Sequence, residues 1–400
     1  MATKLIELEL SEKIIPIPTD ASYTDYRILV RFQKQPIGWI WLPGTNEDYL
    51  TTEELHKALK EQLSLDIFQQ ALKKRFGFEK EDSVFPQPIS IVVCTRNRTK
   101  LLASCLEALL SLDYPTYEII VVDNAPSNND TYQLVVNLPV HYAREDRPGL
   151  DWARNRGIAE AQYPIVAFTD DDALVDRYWL QAIANTFNNS KVMAVTGYVA
   201  PAVLDTPAQK LFEFSYGGMG HGLRRKIISR QGMTDRHLIW ASNFGVGANM
   251  SFRREVFDKI GLFDPALDVG TPSCGGGDIE MFHRLVTQGH MLVYEPNMLI
   301  WHKHREQIPA LRKQIYDNGR SFGCYLMTCY RHRSVSLFSI VKFLLVNYLS
   351  FWILKNLIHP PRQLPRYMPI IELYGMLTSP FAYRASQIRA KEIAANNPSS

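Results

Sequence analysis

A chain of 400 residues with 46% hydrophobic content can bury at least one large core and has room for two or three domains. Its formal net charge of +3 is close to balance, so nothing global points to nucleic acid as a partner. The five cysteines, Cys94, Cys105, Cys274, Cys324 and Cys329, are odd in number, form no Cys-x-x-Cys pair and fit a reducing compartment better than a disulfide framework.

Met1 to Lys13 alternates acidic and apolar residues and lacks the basic start and unbroken apolar core of a secretory signal, so export by that route is not expected. Between Tyr26 and Trp41 the pattern predicts two strands joined by a turn at Lys34 to Gly38. Thr51-Thr52-Glu53-Glu54 reads as a capped helix start, and Leu55, Leu59, Leu63 and Ile67 continue at helical spacing through Phe76. Residues 1–85 are therefore expected to form a small α+β domain, without the residue types of an active site.

Phe85-Pro86-Gln87-Pro88 punctuates the chain, and a main domain is expected over 86–310. Ile89 to Cys94 and Tyr117 to Asp123 are strands too apolar to have a wet face, with an amphipathic helix at Leu101 to Leu112 between them. That succession predicts a parallel sheet covered on both sides. Its strands end in polar residues, Thr95-Arg96-Asn97 and Asp123-Asn124, and neighbouring parallel strands carry such ends to one rim, where a nucleotide commonly lies. Asp123 is placed to accept hydrogen bonds from a ribose or base, with Thr95, Arg96 and Asn97 beside the same ligand; the structural alternative is that Asp123 only starts a turn. A third strand is expected at Val140 to Tyr142. A helix over Asp151 to Gln162 follows, with Arg154 as a candidate for phosphate or base contact.

The strand Ile165-Val166-Ala167-Phe168-Thr169-Asp170-Asp171-Asp172 then delivers three carboxylates to its own end. Like charges so close raise one another's pKa, and a cation is the simplest agent to hold them together at neutral pH. A solvated acidic turn is the alternative.

These segments carry a family likeness. Ile91 to Arg98, Ile120-Val121-Val122-Asp123-Asn124, Ala153 to Gly157, Phe168 to Asp172, Gly247 to Arg254, Ile260 to Asp264 and Gly276 to Glu280 resemble, in that order, the family 2 glycosyltransferases, over roughly Pro88 to Arg305. The resemblance implies a GT-A-type mixed, mostly parallel sheet with helices on both faces. It implies that Asp170 and Asp172 hold a divalent metal, Mn or Mg, against the diphosphate of a nucleotide-sugar donor, with Asp171 turned toward the ribose or donor sugar. It assigns His302, in a His-x-x-Arg run ending at Arg305, to the metal shell, while His304 has no comparable claim. The family's base lies in a Glu-Asp pair opening a helix; here that pair is Gly277-Asp278, so Asp278 is retained and the glutamate is missing. Trp240 and Asn249 flank the matching Gly-Ala-Asn segment and are carried as substrate contacts.

Elementary chemistry leads to the same carboxylates. Sugar transfer needs a base at the incoming hydroxyl and charge neutralisation at the departing diphosphate. Asp278 follows the run Cys274-Gly275-Gly276-Gly277 and opens a helix through Leu285, an arrangement also compatible with simple capping.

Residues 311–400 are expected to be helical. The mostly apolar run Val335 to Leu354 is long enough to span a bilayer and is bracketed by Arg331, Arg333, Lys355, Arg362 and Arg366, a balance that favours a helix lying on an anionic cytoplasmic membrane surface over a true span or a buried helix. The expected function is an inverting, metal-dependent glycosyltransferase acting at that face on a lipid-linked saccharide or other glycan precursor. The rivals are a nucleotidyltransferase of similar fold, which would want a glycine-rich basic loop where Cys94 to Arg98 has no glycine, and a noncatalytic sugar-nucleotide or membrane-surface binding module, made thinkable by Gly277.

Overall fold

The computed structural model of the chain describes residues 2–64, 86–361 and 364–396. At the N-terminus, β1 (Ala2–Glu9) pairs parallel with β3 (Tyr23–Phe32), which pairs antiparallel with β4 (Gln35–Pro43). The β3–β4 hairpin closes on Gln33 and Lys34, with φ of 49° and 71°, rather than on 34–38. Two consecutive left-handed residues make a tight turn that matches strand twist, and Pro36 sits at the bulged start of an edge strand, where its missing N–H is tolerated. Short strands β2 (Ile17–Pro18) and β5 (Tyr49–Leu50) pair beside them. Helix α1 (Thr52–Gln62) starts on a capping box in which Glu54 N–H donates to Thr51 Oγ1 at 3.3 Å and Thr51 N–H donates to Glu54 Oε2 at 2.8 Å. It buries Leu55, Ala58 and Leu59 against Ile28, Val30 and Ile40, a core of its own. The expected continuation to Phe76 falls outside the described residues.

The main sheet has the order β10-β14-β11-β13-β9-β6-β7-β8, with β12 also paired to β14. Its strands are β6 (Ile89–Thr95), β7 (Tyr117–Asn124), β8 (His141–Glu145), β9 (Ile165–Asp170), β10 (Ala173–Val175), β11 (Val192–Pro201), β12 (Lys226–Ile228), β13 (Asn249–Arg253) and β14 (Met291–His302). β6, β7, β8, β9, β11 and β14 run one way; β13, β10 and β12 oppose them. This is the mixed, mostly parallel sheet with helices on both faces that the resemblance implies.

The continuous apolar strands are explained by burial on both faces. Ile91, Val93 and Val121 point to one side, against Leu102 and Leu106 of α2 (Thr99–Leu110) and Trp179 and Ile183 of α4 (Trp179–Phe187). Val92, Ile120 and Val122 point to the other, against Ala153 and Ile158 of α3 (Leu150–Glu160) and, farther along, Phe282 of α5 (Gly277–Thr287).

Three long helices follow: α6 (Ile308–Arg331), α7 (Leu337–Ile358) and α8 (Tyr367–Asn396). α8 reaches back to the loops around the sheet's rim, where Ser386 Oγ donates to Ala266 O at 2.6 Å and Arg389 Nη2 to Pro148 O at 3.2 Å. α7 presses Phe343, Tyr348 and Ile353 into the main core. The N-terminal unit is held to the same body by buried ion pairs, Arg31 to Asp176 at 2.5 Å and Arg27 to Glu213 at 2.9 Å.

Candidate active site

The pairings Thr95 with Asp123 and Cys94 with Asp170 put the ends of β6, β7 and β9 in one row. The three aspartates after β9 then diverge. Asp171 turns back to β6, where Thr95 Oγ1 donates to it at 2.7 Å and Arg98 Nη1 at 2.5 Å. Burial pushes its carboxyl up to about 6, against the opposing pull of Arg98 and Thr95. Both oxygens being engaged, Asp171 braces the turn rather than facing open space.

Asp172 turns the other way. Its Oδ1 lies 3.2 Å from His302 Nε2 at the end of β14, and its Oδ2 accepts from Arg98 Nη2 at 2.6 Å. Burial opposes its charge, yet His302 and Arg98 outweigh burial and hold it well below the usual carboxylate range. Burial likewise works against a charged His302, and Asp172 and Asp170 reverse the balance to raise it. Asp170, Asp172 and His302 each offer a ligand atom, all within 4.8 Å of one another, and among the described residues the buried His302 Nδ1 has no hydrogen-bond partner. Two carboxylates and an imidazole of this spacing are a donor set that fits a divalent cation.

Asp170 also borders a cavity of about 140 Å³ lined by Asp151, Arg154, Met219, Val246, Gly247, Gly276, Gly277 and Asp278, among others. Asp278 opens α5 and is oriented by two backbone donors, Gly247 N–H to Oδ2 at 2.7 Å and Ile279 N–H to Oδ1 at 2.9 Å. Gly276, φ 105°, lets the chain turn into that helix. Arg154 is buried, not an exposed helix arginine: its Nη1 bonds Asp151 Oδ1 at 3.0 Å. Burial opposes its charge, but Asp151, Asp278 and Asp170 around it raise its pKa further.

Residues 90–261 match the family model described as glycosyl transferase family 2. The chain carries a family 2 glycosyltransferase domain. It is 25% identical over 269 residues to glycosyltransferase AglE of Haloferax volcanii, across 65% of this chain and 81% of that one. To the glucosyl-dolichyl phosphate glucuronosyltransferase of the same organism it is 26% identical over 184 residues, across 44% of this chain but only 56% of that relative. The mannosyltransferase PcManGT from Pyrobaculum calidifontis, solved with GDP-Man and Mn2+, aligns over 83% of this chain and 84% of its own with a TM-score of 0.45 and 18% identity.

In this glycosyltransferase domain the remaining expected residues divide. Asp123 is wholly buried at the rim; burial raises its carboxyl, and the Tyr142 and Thr131 hydroxyls pull it partly back. Arg96 is exposed beside Thr95. Asn97, φ 54°, spends its side-chain oxygen on Ser127, whose N–H donates at 3.0 Å, and so fastens the loop after β6 to the loop after β7.

Asn249 and Trp240 both make contacts inside the fold. Asn249 is fully buried in β13: its Nδ2 donates to Tyr198 O at 3.0 Å and Met298 O at 2.7 Å, and its Oδ1 accepts from Trp179 Nε1 at 2.9 Å. It fills the register shift where β11 and β14 part between Gly197 and Tyr198, and all three bonds serve the sheet. Trp240 packs edge-on against Phe343 and Trp352 of α7, with ring centroids at 5.3 and 6.4 Å.

Arg98, Asp151 and Asp268 were not singled out from the sequence. Arg98 lay in the basic run after β6, and Asp151 and Arg154 stand three apart on one helix face, a spacing that pairs opposite charges. Asp268 lies in an irregular loop and carried no signal.

Proposed function

We propose that this glycosyltransferase moves a sugar from a nucleotide-activated donor to a hydroxyl of a lipid-linked saccharide, with inversion, at the cytoplasmic face of a membrane. The supporting observation is that Asp278, held by two backbone N–H groups, and Asp170, a member of the candidate metal cluster, border the same cavity.

Thr95, Arg96 and Asp123 hold the nucleotide at the rim. Asp170, Asp172 and His302 hold a divalent cation, which when bound supplies charge neutralisation at the donor diphosphate. Asp278 takes the proton of the acceptor hydroxyl as that oxygen bonds to the anomeric carbon, and the bond from this carbon to the nucleoside diphosphate breaks, the diphosphate leaving with the electron pair. A single displacement from the opposite side inverts the anomeric centre. The amides of Gly247 and Ile279 fix the carboxylate for this role.

Two observations favour a lipid-linked acceptor. One relative is named a glucosyl-dolichyl phosphate glucuronosyltransferase. In addition, α7 buries one face and exposes Leu337, Phe338, Val341, Leu345, Phe351 and Leu354 on the other, between exposed Arg331, Arg333 and Lys355. A helix packed along one side on the protein body suits a bilayer surface better than a crossing.

The test is nucleoside diphosphate release from a panel of UDP-, GDP- and dTDP-sugars, with and without polyprenyl-phosphate-linked monosaccharides. Release is expected for one donor with a lipid-linked saccharide; Asp278→Asn should abolish it while sparing donor binding. Near-normal turnover by that variant would remove the mechanism.

A further inference from the structure

The glutamate missing at Gly277 leaves a space, and that space is occupied. A Cβ built on Gly277 would lie 2.0 Å from Asp151 Oδ2 and 2.9 Å from its Cγ, so the Asp151 carboxyl, arriving from α3, stands where a side chain at 277 would begin. Gly277 has no left-handed φ, and backbone conformation does not demand a glycine there. What excludes a side chain is Asp151.

Asp151 is 1% exposed, borders the cavity beside Asp278, and commits Oδ1 to Arg154; among the described residues its Oδ2 has no hydrogen-bond partner. A buried carboxyl oxygen left unsatisfied at a cavity wall is costly unless something that enters the cavity satisfies it. The groups around it are mostly acidic: Asp268, Asp278 and Asp170, with Arg154 among them already engaged. Such a wall of carboxyl groups, its one lining cation already paired with Asp151, favours a neutral hydrogen-bonding partner over an anionic nucleophile such as a bare lipid phosphate.

We propose that Asp151 is an acceptor-binding residue: its Oδ2 hydrogen-bonds a second hydroxyl of the acceptor, neighbouring the one that Asp278 deprotonates. The acceptor class is thereby a neutral sugar unit with two adjacent free hydroxyls, and not a polyprenyl phosphate. This rests on the glycosyltransferase reading above. It adds that the carboxylate absent from the start of α5 has been moved to the start of α3, with Gly277 as the accommodating half of the exchange.

The probes are octyl glycosides of glucose, mannose and N-acetylglucosamine, dolichyl phosphate, and water alone, each with the sugar nucleotides already named, reading nucleoside diphosphate release. At least one octyl glycoside should stimulate release by the native protein and dolichyl phosphate should not. Asp151→Asn is expected to raise KM for that glycoside about tenfold or more, the loss of one buried hydrogen bond. Gly277→Glu alone should fail through the clash. Asp151→Gly combined with Gly277→Glu should regain most of the acceptor affinity, whereas Asp151→Gly with Gly277→Ala, which relieves the clash and restores no carboxyl, should not; melting temperatures separate misfolding from lost binding. An unchanged acceptor KM in a folded Asp151→Asn protein, equal behaviour of the two double variants, or preference for dolichyl phosphate overturns the proposal. Failure of the native protein to cleave any sugar nucleotide overturns the broader reading instead, and this one with it.

Discussion

His302 and Asp172 approach to 3.2 Å although 130 residues separate them in the chain, because the turn after β9 feeds β10, which pairs antiparallel with the end of β14. The candidate metal cluster is thus assembled by sheet pairing and not by any local motif. His302→Ala should weaken Mn2+ binding by about tenfold or more, since one of three protein ligand atoms is lost, while the ion pair of Arg98 with Asp171 keeps the turn folded. Titration of Mn2+ against the native and variant proteins, read by calorimetry, checks this. Equal affinities would remove His302 from the shell.

A second prediction concerns pH and stability. Asp268 is buried and its carboxyl is pushed up to about 7, mainly by burial, with the amides of Asp151 and Leu150 pulling it partly back; the neighbouring Asp151 is raised as well, by burial and by the charge of Asp268. In the unfolded chain both revert to ordinary aspartates. The folded state therefore holds protons that the unfolded state releases. That contribution to stability is complete below the ordinary aspartate range and is lost as pH rises through about 7. The melting temperature should fall by several degrees between about pH 5 and about pH 8, and Asp268→Asn should flatten the slope. A native protein whose melting temperature rises over that window would contradict it.

Asn249 tests the opposite kind of role. Asn249→Ala strands the carbonyls of Tyr198 and Met298 and the indole N–H of Trp179 inside the sheet, at a cost of about 3 kcal/mol. Urea unfolding should show that loss, while acceptor KM, measured where the variant is still folded, should stay near the native value. A KM change without a stability change would return Asn249 to the ligand.

Much of the sheet was legible in the sequence because burial on both faces leaves apolar runs such as Ile89 to Cys94 and Ile119 to Val122, ended by polar residues that parallel pairing must bring to one rim. Asp170, Asp172 and Asp278 stood out for the same reason, as charges at element ends. The directions of Asn249 and Trp240 were not legible, because proximity in sequence to a family segment says nothing about which way a side chain points; in β13, which Asn249 opens, alternate residues face opposite sides. The exchange between Asp151 and Gly277 was invisible, since it depends on two helix starts meeting across the cavity. The link from Arg27 through Glu213 to His304, whose ring lies 5.9 Å from that of His302, was equally hidden, being built from three separate segments.

The last prediction separates a helix lying on a membrane from one crossing it. α7 cannot leave the protein body without exposing Phe343, Tyr348 and Ile353 and breaking the bond from Trp352 Nε1 to Glu372 Oε2, 2.9 Å. Phe338 on its outer side, 76% exposed, and Phe381 of α8, 82% exposed, offer aromatic side chains that touch little of the protein. Replacing both by aspartate should leave urea stability nearly unchanged and should weaken co-sedimentation with phosphatidylglycerol vesicles by about tenfold or more, each phenylalanine being worth roughly 1.5–3 kcal/mol when fully buried and each new charge being repelled by the anionic surface. Added salt should weaken binding of the native protein too, through Arg331, Arg333 and Lys355. Alkaline carbonate extraction distinguishes the arrangements: a surface helix is released from membranes, and a protein that stays with the lipid after that wash, in native and doubly substituted form alike, has α7 through the bilayer and not upon it.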